Sequence, residues 1–264
     1  MLTAVKNQFR VTLLSIKYAV MREMLNKVTF ISNVVFMILN NATFIIQWLL
    51  LYSIKDEVGG YTFSSVMLLW GIAAGAYGVS RFFFKGTFDL SYTINQGKLD
   101  AYLIQPKNVL ISLATADISV SALGDIIYAY IMVFIAGFSF YNLFLMTLFI
   151  ILGGISLASL SIIFHSFSFY FGKSDTLADT YNSLMTNFAT YPDGIFKGAI
   201  RLILYTVVPV GLLYYIPIDI MVEFDILKIL GLIGITIVFI VLAFLMFYKG
   251  LKKYTSSNLM SARI

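Results

Sequence analysis

The sequence predicts an all-α polytopic membrane protein with six transmembrane helices, and three observations predict it. Hydrophobic residues fill 60% of the 264 positions and charged residues only 12%, about half the charged share of an ordinary soluble domain. Uncharged runs longer than the roughly 18 residues that mark a membrane span recur along the chain. Lysine and arginine gather between those runs. No soluble core could bury this much apolar surface, so a single membrane domain over 1–264 is expected.

Residues 1–27 carry Lys6, Arg10, Lys17, Arg22 and Lys27, while Leu2, Val5, Phe9, Leu13, Ile16 and Val20 recur at spacings of three and four. That pattern predicts an amphipathic helix lying in the membrane interface. Lys17 and Arg22 interrupt the apolar run a signal peptide would need, so the segment is expected to be retained. The first span falls within 28–54, which is uncharged and holds Asn40, Asn41 and Gln47. A short turn through Gly59 and Gly60 leads to a second span over 61–80, where Gly71, Gly75 and Gly78 permit close helix packing.

Residues 81–109 are the longest clearly polar interruption, with Arg81, Lys85, Asp89, Lys98, Asp100 and Lys107 set among Phe82, Phe83, Phe84 and Phe88. A short helix ending near Gly97, another over Leu99–Leu103 and a stop at Pro106 are expected. The third span lies within 110–138 and contains Asp117 and Asp125; the fourth lies within 143–170 and contains His165. Two arrangements fit the next stretch, which Pro209 and Pro217 break. Either 199–222 is a plain fifth span, or the fifth span is 174–190 and 193–222 is a re-entrant hairpin, tolerable only where protein or water surrounds it. The last span covers 226–247, and Lys249, Lys252, Lys253 and Arg263 follow it. With six spans, fourteen of the eighteen basic residues fall on the side of the two termini, which the positive-inside rule makes cytoplasmic.

Composition also narrows the chemistry. Cysteine is absent and histidine occurs once, which excludes disulfide frameworks, thiolate metal sites and histidine clusters. The net charge of +5 is spread between spans, so lipid headgroups and not nucleic acid are the expected partners. Gly172, Lys173 and Ser174 match only the end of a phosphate loop, with Phe167 where its first glycine belongs, so the chain is not expected to hydrolyse ATP. No acid, base and nucleophile converge in the spans, and an enzyme is not expected.

Ionisable and polar groups inside a bilayer are costly and therefore functional candidates. Asn41, Gln47, Asp117, Asp125 and His165 are the candidates for a hydrophilic path. Asp117 and Asp125 stand about 80° and 12 Å apart on an ideal helix, close enough to share one cavity. The plainer alternative, preferred on the residues alone, puts Asp117 near the cytoplasmic interface and has Asp125 bond neighbouring helices. His165 reaches a depth similar to that of Asp117 in an antiparallel helix, which makes the two a possible pair.

Gly97, Leu99, Asp100, Leu103 and Pro106 read G-x-L-D-x-x-L-x-x-P, and this motif on the loop between spans two and three resembles the permeases of type-2 (ABC-2) ABC exporters. Tyr191, Pro192, Ile195 and Phe196, then Arg201, Pro209, Tyr215, Ile216 and Pro217, extend the resemblance over nearly the whole chain. It implies a cytoplasmic coupling helix in the 81–109 loop. There Phe88, Gly97, Lys98, Leu99, Asp100, Leu103 and Pro106 meet an ABC ATPase subunit, Leu99 and Leu103 supplying apolar anchors and Lys98 and Asp100 polar orientation. It also favours the hairpin over 193–222, with Tyr191, Pro192, Phe196, Pro209 and Pro217 at an outer gate. A second permease subunit would complete the path, ATP and magnesium would bind the partner ATPase, and the place would be a bacterial plasma membrane. The alternatives are a secondary transporter, for which no convincing inverted repeat is visible, and a nontransporting membrane scaffold.

Overall fold

The computed structural model describes residues 2–172 and 174–255, with side chains from Lys6 onward; the side chains of Leu2 and Val5, together with Lys173 and Arg263, lie outside the described residues. Helices dominate, and among the described residues the only extended pairing is a bridge between Val58 and Tyr61. Among the described residues four helices are long and apolar enough to cross a membrane, and a fifth apolar segment is bent by 76°.

Helix α1 (Leu2–Glu23) turns one edge toward the bundle and leaves Phe9 and Leu13 exposed. On the inner edge, Gln8 Oε1 accepts from the Asn108 N–H at 2.9 Å and the Ser15 hydroxyl donates to the Thr115 carbonyl at 3.0 Å. Ala19 is buried against Ile118 and Val120. Helix α2 (Lys27–Tyr52) begins where the Asn26 side chain accepts from the Thr29 N–H, satisfying one of the orphan donors of a first turn. It leads to the centre of the molecule, α3 (Phe63–Phe83), which is buried on almost every side from Val66 to Ser80. Small residues make that possible. A Cβ on Gly75 would lie 2.5 Å from Ile150 and 2.8 Å from the Ala129 methyl, so the glycines of the second expected span do let neighbouring backbones approach.

Beyond α3 the chain folds into three short helices, α4 (Leu90–Asn95), α5 (Asp100–Leu103) and α6 (Val109–Ala114). Gly97 takes a positive φ of 68° between the first two, a conformation that costs glycine little. The third expected span is not continuous. Residues 115–121 leave the helix, and only then does α7 (Ala122–Gly137) begin. The break coincides with the side chain of Asp117, which leaves the helical path to meet Arg22 and Lys85.

Helix α8 (Phe140–His165) runs parallel to α3, with Met146 and Ile150 opposite Gly71 and Gly75. A one-turn α9 (Ser168–Phe171) then precedes α10 (Asp175–Phe188), and α11 (Gly198–Thr206) follows. After Pro209 a π-helical turn over Gly211–Tyr215 runs into α12 (Ile216–Val222), and α13 (Ile226–Leu251) closes the bundle. Pro209 and Pro217 each lack a backbone donor, and the irregular stretch lies between them. We call the end bearing α1, α4–α6 and α9 basal and the opposite end distal. Segment 193–222 starts beside Gly59 of the distal α2–α3 loop and ends where the Tyr141 hydroxyl donates to the Ile220 carbonyl, also distally. Its midpoint reaches inward far enough for Tyr181 of α10 to donate to the Val207 carbonyl. Besides the small cluster around Ala19, two larger apolar clusters stabilise the fold, one centred on α3, α7, α8 and α12 and one at the basal end around Leu90, Leu99, Leu113, Phe169 and Phe247.

Candidate functional site

Three helices present polar or aromatic stripes at helical spacing toward one another. From α2 come Asn40, Asn41 and Phe44, from α3 Trp70 and Tyr77, and from α10 and the turn after it Thr186, Asn187 and Thr190; they enclose a cleft of about 350 Å³ with Asp125 of α7 in its wall. A second hollow of about 360 Å³, lined by Tyr77, Arg81, Asp179, Asn182, Ser183, Thr186 and Asn187, adjoins it basally and shares three of its residues. The spacing 179, 182, 183, 186, 187 places Asp179, Asn182, Ser183, Thr186 and Asn187 along one face of α10, with Thr190 in the turn just beyond it. Ala178, Tyr181, Met185 and Ala189 pack inward on another. Among apolar spans, such a stripe lines either water or another polar surface.

Asp125 is the charged group at the cleft wall. It is 2% exposed, and its Oδ1 accepts from Asn41 Nδ2 at 2.6 Å. Its Oδ2 is buried and has no hydrogen-bond partner. Gly124 and Gly78 bring it there: a Cβ on the first would meet the Val34 carbonyl and Met37 of α2, and on the second the Ala122 carbonyl and Asp125 Cβ. Aromatic rings complete the walls. Phe44 and Trp70 lie 4.7 Å apart, and Trp48 meets the edge of Tyr191 at 6.4 Å. Arg81 stands at the basal end of the cleft, in the adjoining hollow, its guanidinium 3.9 Å above Phe88 and 5.3 Å from the Tyr77 ring.

The residues expected to line a path separate into two groups. Asn41 and Asp125 meet in the cleft, whereas Gln47 is exposed on α2 and lines neither hollow. Asp117 sits in the 115–121 break, outside the spanning helices, where Arg22 and Lys85 both donate to it, Lys85 Nζ at 2.6 Å. Its partial burial alone would raise its pKa, but hydrogen bonds from Lys85 and Arg22 prevail and hold it below the usual carboxylate value. His165 is not its partner. Its Nδ1 lies 2.9 Å from the Ser91 hydroxyl, within a buried cluster in which Ser168 bonds Ser91 at 2.8 Å and Ser174 at 2.7 Å. Each group is held by its own partners, Asp117 by Arg22 and Lys85 and His165 by Ser91.

The basal loop corrects the expected outward contacts of Phe88, Gly97 and Leu99, all three of which are buried. Leu99, expected to anchor a partner, is 0% exposed among Leu90, Leu110 and Phe169. The apolar groups turned outward are Tyr92, Leu103 and Ile104, the last 86% exposed, with Pro106 exposed beside them. Lys98 lies over the Tyr92 ring at 4.5 Å, and Asp100 Oδ1 accepts from the Tyr254 hydroxyl at 2.9 Å. Burial and that carboxylate raise the Tyr254 pKa to about 12. Phe88 is buried under Arg81.

At the distal end Tyr191 closes the cleft, Pro192 is buried beside Gly59, and Phe196 packs on Phe188 at 5.5 Å. Asp193 Oδ2 accepts from Arg201 at 2.6 Å and from the Tyr205 hydroxyl at 3.2 Å. Pro209 and Pro217 flank the π-helical turn and do not line the cleft.

The family model described as ABC-2 family transporter protein matches residues 37–258. The chain belongs to the ABC-2 transporter family. No curated protein and no solved structure matches it. As an ABC-2 family member with several apolar helices, the chain is a multi-pass membrane protein. The match covers the cleft, the basal loop and the bent segment, and begins inside α2 after Phe36. What sequence reasoning missed in this ABC-2 chain is the α10 stripe, together with Phe44, Trp70 and Tyr77. The recurring polar residues from Asp179 to Thr190, at helical spacing, were the available signal.

Proposed function

We propose that the chain is the permease subunit of an ATP-driven ABC exporter, with six spans, both termini cytoplasmic and the basal end facing the cytoplasm. In this reading α2, α3, α7, α8, α10 and α13 are the spans, and 193–222 is a re-entrant hairpin at the outer face, where Tyr191, Pro192, Phe196, Pro209 and Pro217 form a gate. Helix α1 lies in the inner interface. The basal loop from Phe88 to Pro106 docks on a separate ATPase subunit through Leu103 and Ile104, and that ATPase binds ATP and magnesium. The 18-residue core of α2 is mostly unburied within this chain, which leaves a face for a second permease subunit. Two copies would enclose the path between them.

One observation carries this reading: a polar cleft and its basal continuation run along α3 and α10 through an otherwise apolar bundle. Rigid-body movement of the basal helices on ATP binding would widen or close such a groove. The absence of cysteine gives a clean test. With the copurified ATPase in proteoliposomes, Ser183→Cys is expected to react with a membrane-impermeant maleimide at a rate that ATP changes several-fold. Leu184→Cys, which faces away from the groove, is expected to stay unreactive. Equal labelling of the two positions, or failure of any ATPase to copurify, would remove the proposal.

A further inference from the structure

The wall of the cleft has an electrical asymmetry that the export reading does not use. Asp125 offers one oxygen to Asn41 and leaves the other without a partner, and among the described residues no lysine, arginine or histidine lines this cleft, Arg81 lying in the adjoining hollow 5.3 Å from the Tyr77 ring. A carboxylate removed from water is costly unless a cation or several donors meet it. Around it stand the faces and edges of Phe44, Trp70, Tyr77 and Tyr191, and aromatic faces attract ammonium groups. Asn40, Asn187 and Thr190 add carbonyl and hydroxyl acceptors at the rim. A volume of about 350 Å³ lies within the range of small-molecule pockets.

We infer that this cleft binds an organic cation, an ammonium group carried on an aromatic or aliphatic body, with Asp125 as its counter-charge. The inference rests on the cleft being the substrate path, and it names the class of substrate that path takes. Asn41 holds the carboxylate toward the cavity, Phe44 and Trp70 cover the cation from one side, and Tyr77 and Tyr191 cover it from the other. An anionic amphiphile meets Asp125 with like charge and is excluded.

The chain's two tryptophans, Trp48 and Trp70, both report on this place, since Trp70 lines the cleft and Trp48 packs on Tyr191. The test titrates the full chain in nanodiscs with phenyltrimethylammonium and, separately, with its neutral carbon isostere tert-butylbenzene, following tryptophan fluorescence. The expected result is a saturable change with the cation only, and an apparent Kd at least tenfold weaker in Asp125→Asn. Tyr77→Leu, which leaves the carboxylate in place, is expected to weaken it several-fold and covers the case in which Asp125→Asn does not fold. Equal responses to the two probes, or unchanged affinity in either folded variant, would overturn the inference. Maleimide labelling of Ser183→Cys separates the two readings. ATP-dependent labelling without cation binding leaves the path and removes the substrate class; cation binding without ATP-dependent labelling leaves the site and removes the export reading.

Discussion

Replacing Asp117 by asparagine is expected to loosen three elements at once. Its two oxygens accept from Arg22 at the end of α1 and from Lys85 just after α3, while its backbone sits in the break between α6 and α7. All three side chains are about a third or more exposed, and Arg22 more than half, so solvent screens each pair to no more than about 1 kcal/mol, the Arg22 pair less. The two together contribute roughly 0.5–1.5 kcal/mol, or about 1–6 °C in Tm for a chain of this size. Arg22→Gln and Lys85→Gln should each reproduce part of the loss. The sign of the pH dependence follows from the lowered pKa. The stabilisation is complete above the unfolded carboxylate's 3.8 and disappears only as pH falls below it through the folded value. Thermal unfolding in detergent, followed by tryptophan fluorescence at pH 5 to 8, should therefore give a constant gap between wild type and Asp117→Asn. A gap near zero at pH 7, or one that shrinks between pH 8 and 5, would refute the clamp.

Gly75→Val puts two methyl groups where Ile150 and Ala129 already stand, and a loss of about 1–3 kcal/mol in thermal stability is expected. Leu99 and Ile104 should separate folding from docking. Leu99→Ala empties a fully buried site and is expected to cost about 2–5 kcal/mol, whereas Ile104→Asp should keep its Tm and lose ATPase in a copurification assay. Tyr254→Phe removes the hydroxyl that donates to Asp100; a loss of about 0.5–1.5 kcal/mol is expected, read as faster proteolysis after Leu251 at any pH up to 10, because the hydroxyl keeps its proton until about 12.

The long apolar helices were legible because hydropathy is a local property. Expected spans over 28–54, 61–80 and 226–247 become Lys27–Tyr52, Phe63–Phe83 and Ile226–Leu251, with ends moved by the caps at Asn26, Thr62 and Asp225. The third span was less legible because what interrupts it is not local: Arg22 lies 95 residues before Asp117 in the chain. Asp125 and Asn41 were both visible as misplaced polar groups, but their meeting depends on Gly78 and Gly124 setting α7 tightly between α2 and α3. For Leu99, the same leucine spacing fits an anchor turned outward or a core residue turned inward, and only the surrounding Leu90, Leu110 and Phe169 decide it.

Helix α2 emerges early in the chain, yet the helix it packs on most, α7, ends about 85 residues later. At ordinary translation rates that gap lasts roughly 4–17 s. During it α2 has only lipid and α3 for company, with Asn40 and Asn41 inside the bilayer and Asp125 not yet synthesised. Assembly of this chain therefore contains a waiting period in which an asparagine pair must be sheltered by the insertion machinery or by another copy. Slower insertion of α7 is therefore expected to lengthen the exposure of that pair and to lower the yield of the finished chain.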